Sequence, residues 1–261
     1  YVSMQLLNQR LDVKTIVAFD HSLGGGATEY LEKKKEAILK SGQKFITIRY
    51  NIYENKYCVI YEYKQQKIEF FTEYLKYILK ALGRVDEIWI NELVTYQSVF
   101  EVLRKIQEWR NEQGAYLKML MHDYFSICPA VNLMDCHGQY CGVGSVERCS
   151  KCIPENRSNA CLDYESAEAW RKNWHELLSD CDEVTVFSMD TQRLLTKAYP
   201  DLKNLNLVPH EPHYLPSLKK VAKITRTLNI GVLGILSYKK GLNVIRGIAA
   251  EIEKSNRNVR L

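Results

Sequence analysis

A histidine followed by an aspartate, His122-Asp123, closes an apolar run, Tyr116-Leu117-Lys118-Met119-Leu120-Met121. A neutral imidazole can hydrogen-bond an acceptor hydroxyl or a departing phosphate, and the carboxylate beside it can fix its orientation. His21 follows a second apolar run, Thr15-Ile16-Val17-Ala18-Phe19, and completes the candidate catalytic set of His122, Asp123 and His21. Just beyond it lie Gly24, Gly25 and Gly26. Without side chains, their backbone N–H groups can approach a ligand, and the start of the following helix favours an anion, so a phosphate or a sugar hydroxyl fits there. The same run also suits an ordinary turn. Asn91, after Glu87-Ile88-Trp89-Ile90, joins the substrate-binding set.

Two nucleotide chemistries are disfavoured. The glycines lack the G-x-G-x-x-G spacing, and the next strand ends in Ile48-Arg49-Tyr50-Asn51 with no acidic residue for a ribose. No Walker lysine follows either, so neither a nicotinamide dehydrogenase nor a P-loop nucleotidase is supported.

Six of the eight cysteines, Cys128, Cys136, Cys141, Cys149, Cys152 and Cys161, fall in one segment. Cys149-Ser150-Lys151-Cys152 is a C-x-x-C step, which lets two thiolates of one turn share a tetrahedral ion while two more complete the set. A structural zinc on Cys128, Cys141, Cys149 and Cys152 is the preferred arrangement, with Cys136 and His137 as substitutes. Free thiols, disulfides or an iron–sulfur cluster are the alternatives. The sequon Asn156-Arg157-Ser158 reads as chance in a chain without a secretory signal.

These residues sit on a regular alternation. Strands are expected at 15–19, 44–49, 58–63, 68–71, 87–90, 116–121, 183–187 and 205–208, with helices at 27–40, 72–82, 96–110, 166–179 and 190–198. Such an alternation predicts an α/β, Rossmann-like, mostly parallel sheet with helices on both faces. From His122 to Asp163 the periodicity is lost, over a span far longer than the usual connection of about 4–6 residues. Pro209, Pro212 and Pro216 mark a linker over 209–220, dividing residues 1–220 from a second α/β unit at 221–261. That unit opens with a buried strand, 228–234, and a helix to about Lys254. One βα unit cannot bury both faces of a sheet, so it is expected to be cut short, leaving Ile230, Val232, Leu233, Ile245, Ile248 and Ile252 underburied. Gly234 lets a ligand near the backbone, and Lys240 can meet a diphosphate with its charge.

The 261 residues are 46% apolar and 26% charged, ordinary globular proportions that exclude disorder. The formal charge of +5, 36 basic against 31 acidic residues, is too dispersed for a nucleic-acid platform. No apolar stretch reaches the length of a membrane span, and the first ten residues lack signal-peptide architecture. The expectation is a cytoplasmic protein, with room for peripheral association at the inner face of the membrane. The absence of an initiator methionine suggests a trimmed piece of a longer chain.

The segments Phe19-Asp20-His21-Ser22-Leu23-Gly24-Gly25-Gly26-Ala27, His122 to Pro129 with Asn132-Leu133 and the later cysteines, and Gly231-Val232-Leu233-Gly234 through Lys240-Gly241 together resemble retaining glycosyltransferases of family four. The middle motif resembles a subgroup that makes bacterial surface polysaccharides. The resemblance implies a two-domain GT-B fold and transfer of a sugar from a nucleotide diphosphate sugar to a saccharide or lipid-linked saccharide acceptor, with retention and without a catalytic metal. It places the glycine loop against acceptor and diphosphate, His122 by the reacting sugar and Lys240 on the diphosphate. Ile235 stands where an arginine often follows the glycine, which removes one expected diphosphate contact. The family's paired glutamates, E-x7-E, belong to the second domain. Matches at Glu54 and Glu62, Glu147 and Glu155, and Glu168 and Glu176 all precede the linker and are coincidental. A chain ending at Leu261 is therefore expected to fold but to be inactive alone. The competing reading is a non-catalytic, zinc-stabilised binding module, with nucleic acid as its partner.

Overall fold

The computed structural model describes residues 13–161, 164–210, 227–234, 236–237, 240–255 and 258–261. The chain divides into two compact units, Tyr1–Pro209 and His210–Leu261, at the start of the expected linker; Pro212, Pro216, Lys219 and Lys220 lie outside the described residues.

The first unit is an eight-stranded sheet in the order β4-β3-β2-β1-β5-β6-β7-β8. Its strands are β1 (Thr15–His21), β2 (Lys44–Asn51), β3 (Lys56–Tyr63), β4 (Gln66–Thr72), β5 (Glu87–Ile90), β6 (Tyr116–Met121), β7 (Glu183–Val186) and β8 (Leu205–Leu207). From β2 through β1 and β5 to β8 every pairing is parallel. The β3 and β4 strands extend the β2 side as antiparallel edge strands. Their two-residue turn, Lys64-Gln65, has both residues in the left-handed region (φ 45° and 65°), as a primed hairpin turn requires. The β4 residues alternate exposed and half-buried, which keeps polar side chains on an unpaired edge.

Because β2 lies on one side of β1 and β5 on the other, right-handed crossovers place their helices on opposite faces. Helix α1 (Gly26–Lys40) buries Leu31 against Ile16, Ala18 and Phe45 on one face. The larger core lies on the other face. There α2 (Leu75–Ala81), α3 (Val99–Gln113) and α5 (Ala167–Asp180) cover Val17, Phe19, Ile88, Ile90, Leu117 and Met121.

Two helices start later than their periodicity predicts. The sequence reading begins α2 at Thr72, but β4 holds that residue and α2 begins at Leu75, burying Leu75, Ile78 and Leu79 rather than Tyr74 and Tyr77. Helix α3 begins at Val99 rather than Tyr96, because the Tyr96 hydroxyl is drawn across the core to donate to the Ile48 carbonyl at 2.6 Å.

The long connection after β6 is more ordered than its composition suggests. Phe125, Ile127, Ala130 and Leu133 are core residues. Three side chains tie this backbone down: Trp170 Nε1 donates to the Phe125 carbonyl (3.0 Å), Arg171 Nε to that of Ile127 (2.6 Å), and the Tyr199 hydroxyl to that of Ser126 (2.6 Å). Val131 and Leu133 are held at φ 66° and 54°, conformations that bulky residues adopt only when their surroundings over-determine them. A short helix α4 (Val146–Cys152) follows, its first turn capped by the Ser145 side chain accepting from the Arg148 N–H. Ser166 and Ser188 cap α5 and α6 (Met189–Ala198) in the same way.

In the second unit the expected buried strand is short and exposed. β9 (Leu228–Asn229) pairs with β10 (Val259–Arg260), and α7 (Leu242–Lys254) has no buried residue. Leu233 is 99% exposed, and Ile230, Val232 and Ile248 are also open to solvent, while Ile245 and Ile252 are half-buried. The two paired strands and one helix among this unit's described residues offer too little surface to cover one another. Among the described residues no helix is long and apolar enough to cross a membrane.

Candidate functional site

The chain reverses direction across the sheet between β1 and β5, and the carboxyl ends of β1, β5 and β6 meet there. In open α/β sheets this crevice is where ligands bind. It gathers His21, Asn91, His122 and Asp123, and the glycine loop leads out of it into α1.

The site has two sides, because successive residues of a strand face opposite ways. On the α1 side, Asp20 is fully buried and accepts from Arg49 Nε (3.1 Å), Asn91 Nδ2 (2.8 Å) and Thr28 Oγ1 (3.4 Å). Arg49 also reaches Glu32 of α1 at 3.1 Å, and Lys35 bridges Glu32 and Glu62. Burial works against the Glu32 carboxylate, yet Lys35 and Arg49 outweigh it and hold its pKa below the usual value. The second amide hydrogen of Asn91 goes to the Ala27 carbonyl at 3.2 Å. With both N–H groups committed, Asn91 presents its oxygen to His122 Nε2 at 2.9 Å. That oxygen accepts, so Nε2 carries a proton and donates it to Asn91. Phe187 stacks on the imidazole, with centroids 4.7 Å apart and planes at 22°, and Tyr30 meets it edge-on at 5.3 Å.

The sequence offers Asp123 as a residue that can orient His122, and the structure gives that place to Asn91. Asp123 turns to the other face, where its carboxyl hydrogen-bonds that of Glu92 and its Oδ1 accepts from the Phe125 N–H at 2.8 Å. Asn91, backed by Asp20, does the orienting. Glu92 is 6% exposed and accepts from the Leu93 and Val94 N–H groups through Oε1. Desolvation, reinforced by Asp123, pushes its pKa well above the ordinary carboxylate value, and burial raises that of Asp123 as well. Both shifts run in the direction that favours a proton shared by the pair. His21 lies on the same side. Burial lowers its pKa against the pull of Asp20 and Asp123, and its Nδ1 accepts from the Leu23 N–H at 3.0 Å, so Nε2 bears the hydrogen of the neutral ring.

A pH dependence follows from the raised Glu92 pKa. Above the unperturbed value of 4.5, the folded chain binds a proton that the unfolded chain releases, so this group's contribution to stability falls as pH rises from there toward the folded pKa. Glu92→Gln, which mimics the protonated carboxyl, is expected to flatten that fall and raise the melting temperature at neutral pH. Thermal melts of both proteins from pH 4.5 upward measure it. Parallel curves with no gain at pH 7 would remove the carboxyl pair from the description.

Gly24 and Gly25 stand at φ 74° and 96°, conformations L side chains rarely adopt, and an added Cβ on Gly24, Gly25 or Gly26 meets nothing within 4 Å. The loop is thus open toward solvent, and α1 starts without a side-chain cap. Gly234, at φ 101°, and Lys240, which is exposed, belong to the second unit; Ile235 is outside the described residues.

The cysteine loop is partly assembled. The Cys136 N–H donates to Cys152 Sγ at 3.2 Å, Asn156 Nδ2 approaches the same sulfur at 3.8 Å, and the Cys136 and Cys152 thiols hydrogen-bond. Burial raises the Cys128 pKa to about 11, with smaller contributions from Cys149 and Cys141. A Cβ on Gly144 would stand 3.3 Å from Cys149 Sγ, so a larger residue there would press on the thiol. Among the described residues, no three His, Cys, Asp or Glu side chains stand together as a metal-holding group.

Sequence reasoning missed Glu92 and the roles of Asp20, Arg49, Tyr30 and Phe187. The signal within reach was the alternation at strand ends, which separates Asp20 from His21, Asn91 from Glu92 and His122 from Asp123. Comparison of the chain with family models, with curated proteins and with solved structures gives no match.

Proposed function

We propose that the chain forms the acceptor-side part of a glycosyltransferase that moves a sugar from a nucleotide diphosphate sugar to a saccharide or lipid-linked saccharide, with retention. The observation that carries this reading is the Asp20–Asn91–His122 relay, which fixes the His122 ring with Nε2 donating at the sheet's switch point, beside an open glycine loop and an uncapped helix start. An imidazole so held is positioned to hydrogen-bond a sugar hydroxyl. The N–H groups at the start of α1 suit the phosphate oxygens on which negative charge develops as the glycosidic bond breaks. Gly234 and Lys240 are assigned to the donor side. The test is transfer: the full-length gene product, given radiolabelled nucleotide sugars and a membrane-lipid extract, should release nucleoside diphosphate and label the extract. Failure with every common nucleotide sugar would refute the assignment.

The cysteine loop is read as zinc-stabilised, through Cys128, Cys141, Cys149 and Cys152. Support comes from the N–H groups directed at Cys152 Sγ and from the nearness of the Cys141 and Cys149 thiols to Cys128. N–H donors to sulfur favour the thiolate that a metal needs, and binding would draw the thiols together as it orders the loop. Elemental analysis of protein purified without added metal should find one zinc per chain. Cys149→Ser should lose it and lower solubility. A folded, metal-free protein with all thiols titratable would rule zinc out.

A further inference from the structure

Beside the crevice, on the same sheet edge, lies a half-open cavity of about 460 Å³ that the relay does not use. Tyr57, Tyr74, Asn55, Gln97, Glu101 and Lys105 are among the side chains lining it. Its position follows from strand register. His21 at the end of β1 pairs with Tyr50 of β2, which pairs with Tyr57 of β3. Cross-strand partners point to the same face, so the tyrosines share the His21, Glu92 and Asp123 side of the sheet. Two strand spacings put the Tyr57 backbone about 10 Å from that of His21. The loop after β5 joins both places: it carries Glu92 at one end and Gln97 and Ser98 at the other, and Thr95 Oγ1 fastens it to the Tyr50 carbonyl at 3.1 Å.

The lining chemistry is selective. Tyr74 is 55% exposed and offers a ring at the mouth, while Tyr57 stands edge-on to Tyr50, with centroids 5.0 Å apart. The Tyr50 hydroxyl is taken by Asn55 Oδ1, whereas the Tyr57 hydroxyl has no hydrogen bond among the described residues. Burial, with Tyr50 and Glu101 nearby, keeps Tyr57 protonated and able to donate. Glu101 and Lys105 neutralise each other at 3.1 Å, and Glu73 and Lys76 add one charge of each sign to the lining, so the cavity carries no net excess of either charge to attract an ion. Rings, amides, a hydroxyl and a compensated charge pair match a neutral polyhydroxylated ring, which has an apolar face and equatorial hydroxyls.

We propose that this cavity is a pyranoside-binding subsite that seats the acceptor saccharide one to two sugar units away from His21. It rests on the glycosyltransferase reading for the word acceptor, though not for the ligand's chemistry. Saturation-transfer NMR on the full chain with methyl glucoside, methyl galactoside and methyl N-acetylglucosaminide is the test. At least one should receive saturation at its ring protons with millimolar affinity. Tyr57→Ala and Glu101→Gln should each weaken it at least tenfold. Glu101 lies on the surface of α3, so that variant keeps the test usable where Tyr57→Ala misfolds. Binding that survives both substitutions overturns the cavity, and so does the absence of binding by any of the three probes. Neither result bears on transfer, which the labelling assay judges alone. Cavity binding together with failed transfer would sink the enzymatic reading and leave a saccharide site.

Discussion

His122→Ala in the full-length gene product is expected to lower sugar transfer by at least about a hundredfold, the usual scale for losing a positioned proton-transfer or charge-stabilising group. The loss should be in turnover, since the ring sits in a preformed pocket between Phe187 and Tyr30 and its removal leaves the core untouched. Asn91→Leu tests the relay behind it. That change leaves the imidazole in place but frees its tautomer, so transfer should fall less than in His122→Ala and its pH profile should shift. Gly25→Ala should have the smallest effect of the three, because the cost is backbone strain at φ 96° rather than a lost contact. Transfer at the wild-type rate by a folded His122→Ala protein would take His122 out of the mechanism.

Arg49→Met should destabilise the first unit by about 2–3 kcal/mol, toward the low end for breaking a buried ion pair because the guanidinium itself is 21% exposed. Asp20 has no exposure at all, and without Arg49 its carboxylate keeps, among the described residues, the neutral donors Asn91 and Thr28. A charge left in that position costs more than the ion pair contributed. Asp20→Asn in the same chain should recover part of the loss by removing the stranded charge, so the double variant should be more stable than Arg49→Met alone. Urea unfolding of the three proteins gives the comparison, and a midpoint for Arg49→Met indistinguishable from wild type would show that the pair does not hold β1, β2 and α1 together. The two networks are also linked: the carboxylate that Arg49 neutralises holds Asn91, and through it His122. Arg49→Met should therefore blunt transfer even below its unfolding temperature.

Local sequence was enough to place most strands and helices. The β1, α1, β2 opening, the β3–β4 edge hairpin and the later α/β alternation need only apolar period, glycine breaks and chain length, all of which act between near neighbours. It also marked His21, Asn91 and His122 as lying at strand ends. Where local signals compete with distant ones, the distant contact wins. Tyr96 has helical spacing with Val99 and Leu103, but its hydroxyl finds the Ile48 carbonyl 48 positions away and leaves the helix. The motif from His122 to Leu133 reads as a site, yet Phe125, Ile127, Ala130 and Leu133 are core.

What sequence by itself determined, then, is the order of elements and the edge of the sheet at which the reactive side chains emerge, because both follow from period and from the parallel crossover. Which of those side chains act together was decided only by tertiary structure. Adjacent residues at a strand end point to opposite faces, so His122 and Asp123 are neighbours in the chain and strangers in space. Their partners come from β5: Asn91 takes His122 on the α1 face, and Glu92 takes Asp123 on the other. That pairing exists because β5 lies between β1 and β6, an order fixed by how the crossover helices pack on the sheet rather than by any single stretch of sequence.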